Sequence, residues 1–258
     1  MMQRIQTIAL HTFKESVREK VLYNLIVFAL LLIGAAILFA RISLGIERIM
    51  LVNLGLASIA LFGLLMAIFI GIGLVSKEIE RRTLYNILSK PVRRYEFVVG
   101  KYLGLLLTLI VNTAIMAVGF YAALYYVERR LGHADWAPLQ AIYFILLQLA
   151  IVIGLALLFS CISSPALAAF FTFCFYIAGN FLGDIRGLGS QSGNMIFEKL
   201  AAVVYYALPN FSNFQVISQS AHGRMIPSYL LVSGSLYALL YVTVLISASA
   251  LIFEEREF

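Results

Sequence analysis

The side chains best placed for chemistry are concentrated in one block. Residues 77–101, KEIERRTLYNILSKPVRRYEFVVGK, lie between two long apolar runs and hold seven of the nineteen lysines and arginines. Glu78 and Arg82 stand four apart in the favoured order for a helical ion pair, and Ile79, Leu84, Ile87 and Leu88 supply apolar surface beside them. Pro91 stops such a helix and holds Lys90 extended. The pattern predicts a helix continuing through 76–88, a break, and a second helix restarting near Arg94. This is chemistry of recognition rather than catalysis: interleaved charges on a projecting elbow suit docking to a complementary surface. A plain solvated loop on the positive side of a membrane accounts for the lysines and arginines. It does not account for Glu78, Glu80, Thr83 and Glu96 among them.

Elsewhere the chemical inventory is sparse. Asn53, Asn112, Thr113, Gln148 and Asn180 are the main polar groups inside apolar runs. Such side chains bond across helices or face a cavity. Asn112, Gln148 and Asn180 are therefore candidates for a translocation path, with interhelical bonding as the simpler alternative. Carriers driven by protons or ions bury ionisable groups near the membrane midplane, and the last four apolar runs contain no Asp, Glu, Lys, Arg or His. No HExxH, paired intramembrane Asp or Ser/Cys–His combination points to an intramembrane hydrolase. Asp184 with Arg186 is the compact pair that a lipid-directed enzyme could use, and reads more simply as an interfacial anchor. His11 has no companion ligands, and Cys161 and Cys174 sit in apolar helix as small hydrophobes. No metal site is expected.

The elements that position these residues follow from composition. Of 258 residues, 62% are hydrophobic and 12% charged, against roughly 25% charged in soluble domains. Apolar runs near the ~20-residue length of a membrane-crossing helix fall at 21–40, 49–75, 102–127, 139–161, 165–182 and 229–253. The expected fold is an all-α membrane protein with six transmembrane helices, in one domain over 1–258. Residues 1–20 carry Ile5, Ala9, Phe13 and Val17 at intervals of four, widened by Ile8, with Arg4, His11, Lys14, Glu15 and Arg18 on other faces. They predict an amphipathic helix lying in the membrane interface; the charged leader is too long and the flanking residues are wrong for a cleaved signal. With the N-terminus inside, the inner segments hold twelve Lys/Arg and the outer segments seven, which favours cytoplasmic termini.

The break at 183–228 is then extracytoplasmic. Its opening, GDIRGLGSQSGN, reads as flexible and polar; MIFEKLAAVVYYALPNFSNF after it is apolar but interrupted by Pro209 and Asn210. Short helices resting at or dipping into the outer interface are expected. Tyr205, Tyr206, Phe211 and Phe214 would form either an ordinary aromatic belt or an outer gate. Gly63, Ala67 and Gly71, and again Gly179 and Gly183, are spaced for close helix approach.

The charged block resembles the loop between the second and third spans in permease subunits of type-2 ATP-binding-cassette (ABC-2) transporters. That loop runs E-x-E, a basic pair, Thr, an apolar helix, then Pro, Arg and Gly-Lys. Here the matching residues are Glu78, Glu80, Arg81, Arg82, Thr83, Leu88, Pro91, Arg93, Arg94, Gly100 and Lys101. The N-terminal helix, the stretch Leu208-Pro209-Asn210-Phe211 and the tail FEEREF are similar to further features of that family. The resemblance implies a non-enzymatic transport subunit, an exporter in the bacterial cytoplasmic (inner) membrane. Glu78, Glu80, Arg81, Arg82, Thr83, Pro91, Arg93, Arg94 and Glu96 would form the cytoplasmic coupling region that meets a separate ATPase. No GxxxxGK[ST] phosphate loop occurs in these residues, so ATP and Mg are expected on the partner. Two ATPase copies and a second permease, identical or not, would complete the assembly; nucleic acid is not an expected partner. A non-transporting scaffold that anchors a cytoplasmic complex is the alternative.

Overall fold

The computed structural model describes residues 2–43, 45–80, 94–129, 132, 135–191 and 195–255. Every regular element among them is helical: α1 (Met2–Val17), α2 (Lys20–Ile42), α3 (Glu47–Glu80), α4 (Arg94–Glu128), α5 (Trp136–Ile162), α6 (Pro165–Asn180), α7 (Leu182–Gln191), α8 (Met195–Ala207), a 3-10 turn (Phe211–Phe214), α9 (Ile217–Ala221) and α10 (Ser228–Glu255).

Five of these helices, α2, α3, α4, α5 and α10, are long and apolar enough to cross a membrane. The expected fifth span, 165–182, is a shorter apolar helix of 16 residues, Pro165–Asn180, about 24 Å long. Pro165 occupies its first turn, where the missing N–H costs nothing, and the chain breaks at Phe181 before α7 begins. The GDIRGLGSQSGN segment, expected as a flexible loop, is helical through Gln191, with Asp184 in the first turn of α7. A carboxylate there favours helix initiation by complementing the helix dipole.

The bundle is built on α3 and α5, whose apolar stretches are 67% and 72% buried, against 28% for α2 and α10. The small-residue ladder explains the intimacy of the central pair. A Cβ on Gly63 would lie 2.5 Å from Leu149, and one on Gly71 would lie 2.5 Å from the Ala156 Cβ, so only glycine permits this approach. Peripheral α2 buries a single stripe, Leu22, Ile26, Ala29, Ile33, Ala36 and Ala40, at the alternating intervals of four and three that keep one helix face inward. Most of its remaining surface is apolar, with Val27, Phe28, Leu31 and Leu38 exposed.

The amphipathic segment 1–20 forms α1 as the periodicity predicts, and one face of it docks on protein. It packs along the first turns of α4. A Cβ on Gly100 would meet Ile8 at 2.8 Å, and one on Gly104 would meet the Ala9 carbonyl oxygen at 2.5 Å. The face that fits this groove includes Thr12 and Ser16, both fully buried, whereas Phe13 and Val17 of the expected stripe are only half-buried. The α4 glycines leave room for Ile8 and Thr12 to approach its backbone closely.

Candidate functional site

Two polar constellations stand at opposite ends of the bundle, and the charged block borders the first. Glu78 and Glu80 lie on the last turn of α3, and α4 restarts at Arg94, where the sequence places the second helix of the elbow. Arg81, Arg82, Thr83, Pro91 and Arg93 lie outside the described residues. Glu96 is in the first turn of α4 and is 3% exposed. Lys101 is similarly buried, with its ammonium 4.0 Å from the Glu15 carboxylate of α1 and 5.5 Å from the centre of the Phe97 ring. Phe97 in turn stacks on Phe253 of α10 at 5.6 Å and 17°. The base of the elbow is thus clamped between the first and last helices. Long charged side chains are tolerated there because their stems pack on apolar surface while their heads find partners.

Two of the three amides proposed for a path come together at the other half of the bundle. The Gln148 amide of α5 donates to the Asn180 carbonyl oxygen of α6 at 3.4 Å, and Gln215, just after the 3-10 turn, donates to the same oxygen at 2.9 Å. Asn180 closes the set by donating to the Tyr176 backbone carbonyl at 2.8 Å. Asn112 of α4 does not join: it is buried, and its amide nitrogen has no hydrogen-bond partner. Gln215 carried no sequence signal, since a polar residue beyond a Pro-Asn break looks like any loop residue.

The four aromatic candidates divide. Phe211 and Phe214 are fully buried, Phe211 against Tyr176 at 5.5 Å and Phe214 between Phe144 at 6.1 Å and Tyr237 at 6.0 Å. They form a wedge between α5, α6 and α10. Tyr206 is exposed, whereas Tyr205 is half-buried and accepts a 3.3 Å bond from the Asn210 amide. Asn210 organises the wedge: its side-chain oxygen accepts from the Ser212 backbone N–H at 3.1 Å and from the Ser212 hydroxyl, while its own backbone N–H donates to the Tyr237 hydroxyl at 2.7 Å. This is the side-chain cap expected of Asn before a tight turn. Gly179 lets the wedge seat on α6, because a Cβ there would fall 2.5 Å from both the Phe211 ring and the Pro209 carbonyl oxygen.

Beyond the wedge lies an ion cluster that charge counting did not reveal. Arg48 at the start of α3 bridges Glu128 at the end of α4, at 2.6 Å, and Asp135 just before α5, at 2.9 Å. Asp135 also accepts from the Gly132 N–H, and its carbonyl accepts from the Tyr121 hydroxyl at 2.9 Å. Arg41 of α2 reaches the Tyr126 hydroxyl at 3.3 Å. Only proximity in the fold makes these arginines partners of a carboxylate and a phenol 80 or more positions away.

Together these features describe a multi-pass helical bundle with the buried Glu96 and Lys101 at the base of α4 toward one end and a capped aromatic wedge toward the other. A scan against protein families matches residues 6–258 to the family described as ABC-2 family transporter protein. Among curated individual proteins, none matches the chain. The match takes in nearly every residue of the bundle, elbow and wedge alike, and on it the chain belongs to the ABC-2 transporter family as a membrane permease component.

Proposed function

We propose that this chain is a six-span permease half of an ATP-driven exporter, with α6 as the short fifth crossing and residues 1–258 forming one permease domain. The observation that carries the reading is the family match over 6–258. Membership implies association with an ABC ATPase component, and the charged elbow 76–101 is the segment whose chemistry suits that contact. Both termini and the elbow face the cytoplasm of a bacterial cell, at the inner membrane, and the 183–228 segment faces outward. The count of Lys and Arg, twelve on the inner segments against seven on the outer, supports this orientation.

In this reading two ATPase copies and a second permease subunit complete the transporter, with ATP and Mg held by the ATPases. Glu78, Glu80, Arg81, Arg82, Thr83, Pro91, Arg93 and Arg94 meet the ATPase. Buried Glu96 acts instead by fixing the base of α4, from which the elbow projects. Nucleotide-driven movement of the elbow passes through α3 and α4 into the bundle. Gln148 and Asn180 border the route, and the Phe211–Phe214 wedge gates it.

The test is co-purification from mild detergent in the native host. A stoichiometric ATPase subunit is expected with the native chain and is lost when Arg81 and Arg82 become Glu, while the melting temperature of the bundle stays the same. Transport and ATPase association unchanged in that double variant would exclude the docking role.

A further inference from the structure

The junction between α1 and α2 holds an open cleft of about 640 Å³. It arises from the sharp break in the chain. α1 ends at Val17 and α2 begins at Lys20, and Glu19 between them is extended, at φ −71° and ψ 115°. The bend turns the polar face of α1 toward the first turn of α2, so that Lys14, Arg18 and Lys20 converge with the His11 ring on one space. Glu15 and Glu19 also border it, but Glu15 lies beside Lys101 of α4, a cation outside the cleft. Lys14, Arg18 and Lys20 thus outnumber the cleft's two carboxylates, one of which also meets a cation from outside it.

The cleft's last lining residue, Val21, starts an apolar track. Val21, Leu25, Phe28 and Leu32 recur at intervals of four, three and four along one side of α2, and Val21, Phe28 and Leu32 are exposed. A basic seat at the helix start thus continues directly into an uncovered apolar strip running into the membrane. A charged headgroup joined to hydrocarbon chains has that shape and polarity; a soluble anion has no use for the strip.

We propose that this junction is a binding site for an anionic phospholipid of the membrane leaflet at the elbow end. Lys14, Arg18 and Lys20 hold the headgroup phosphate, His11 offers a further ring donor, and one acyl chain lies along Val21, Phe28 and Leu32. The site is independent of ATPase docking, and because α1 is seated on α4 at Gly100 and Gly104, an occupied cleft would brace α1 against the base of the elbow.

Native mass spectrometry of the full chain in neutral detergent tests this, with dioctanoyl phosphatidylglycerol, phosphatidylcholine and phosphatidylethanolamine as probes. The phosphatidylglycerol adduct is expected to dominate. The variant Lys14→Gln/Arg18→Gln/Lys20→Gln should weaken it by about tenfold or more, since each basic group near an anionic surface contributes about a factor of five. The charge-retaining Lys14→Arg/Arg18→Lys/Lys20→Arg variant should bind as the native chain does, as should Lys199→Gln/Arg224→Gln with its changes at the opposite end. Undiminished phosphatidylglycerol binding in the glutamine variant overturns the proposal. So does equal binding of phosphatidylcholine or phosphatidylethanolamine. Displacement of the lipid by millimolar inorganic phosphate would assign the cleft to a free anion instead and overturn the lipid assignment.

Discussion

Asn180 shows how much a single side chain can organise and how little of that a sequence displays. Its type and depth marked it, with Gln148, as a polar group needing a partner inside an apolar helix, and the two do pair at 3.4 Å. The third member, Gln215, returns from 35 residues away, a closure that helical periodicity cannot encode. Asn112 carried the same sequence signal, yet its amide nitrogen is unpartnered. These placements give opposite expectations. A double-mutant cycle of Gln148→Leu and Asn180→Leu, read by unfolding in detergent, should give a coupling of ~0.6 kcal/mol, and below ~2 kcal/mol, as for interhelical bonds within membranes. Asn112→Leu should be neutral or stabilising by up to ~1 kcal/mol, because it removes a buried donor that has no acceptor. Arg48→Gln should cost ~1–3 kcal/mol in the same measurement. The loss is less than that of a fully buried pair because Arg48 and Glu128 keep some solvent contact, but Asp135 is left buried beside Glu128.

At the scale of elements, the helices were legible because apolar length and breaker residues are local properties. The positions of α1 to α5 and α10, the restart at Arg94, and the interruption at Pro209 all follow from them. What the sequence could not display was which segments meet. The 1–20 periodicity says only that one face is apolar; that part of the helix seats on the α4 glycines is a contact between distant segments, which periodicity does not carry. The glycines of GDIRGLGSQSGN suggested a loop, but glycine costs a helix only about 1 kcal/mol each, and α7 persists through Gln191. The docking of α1 is checkable through Gly104. Gly104→Leu, whose side chain would collide with Ala9 and Thr12, should lower the melting temperature and open the 17–20 junction to limited proteolysis. Gly34→Leu, with no atom within 4 Å of its Cβ, should do neither. Overpacking of this kind costs ~1–3 kcal/mol.

For the whole molecule, the arrangement is a closely packed centre with polar clusters toward its two ends. α3 and α5 are locked by Gly63 and Gly71, and α3 reaches from the Arg48 ion cluster to Glu80 at the edge of the elbow. A single helix thus joins the end proposed to meet an ATPase to the end where the wedge sits. Gly71→Leu should therefore damage stability and transport together, whereas Arg81→Glu/Arg82→Glu should abolish transport with the melting temperature unchanged; thermal unfolding alongside substrate flux distinguishes the two. The seating of the wedge on Gly179 has a consequence for motion. Phe211 and the Pro209 carbonyl fill the space that any other residue would need for its Cβ, and the Asn180–Gln215 bond adds a second fastening. α6 and the wedge must then travel as one piece. Spin labels placed at exposed Ile177 and Asn213 should report one unvarying separation throughout a turnover cycle, and the seam that parts would be the one against α10, where ring contacts and the Tyr237 hydroxyl bond can slip and re-form.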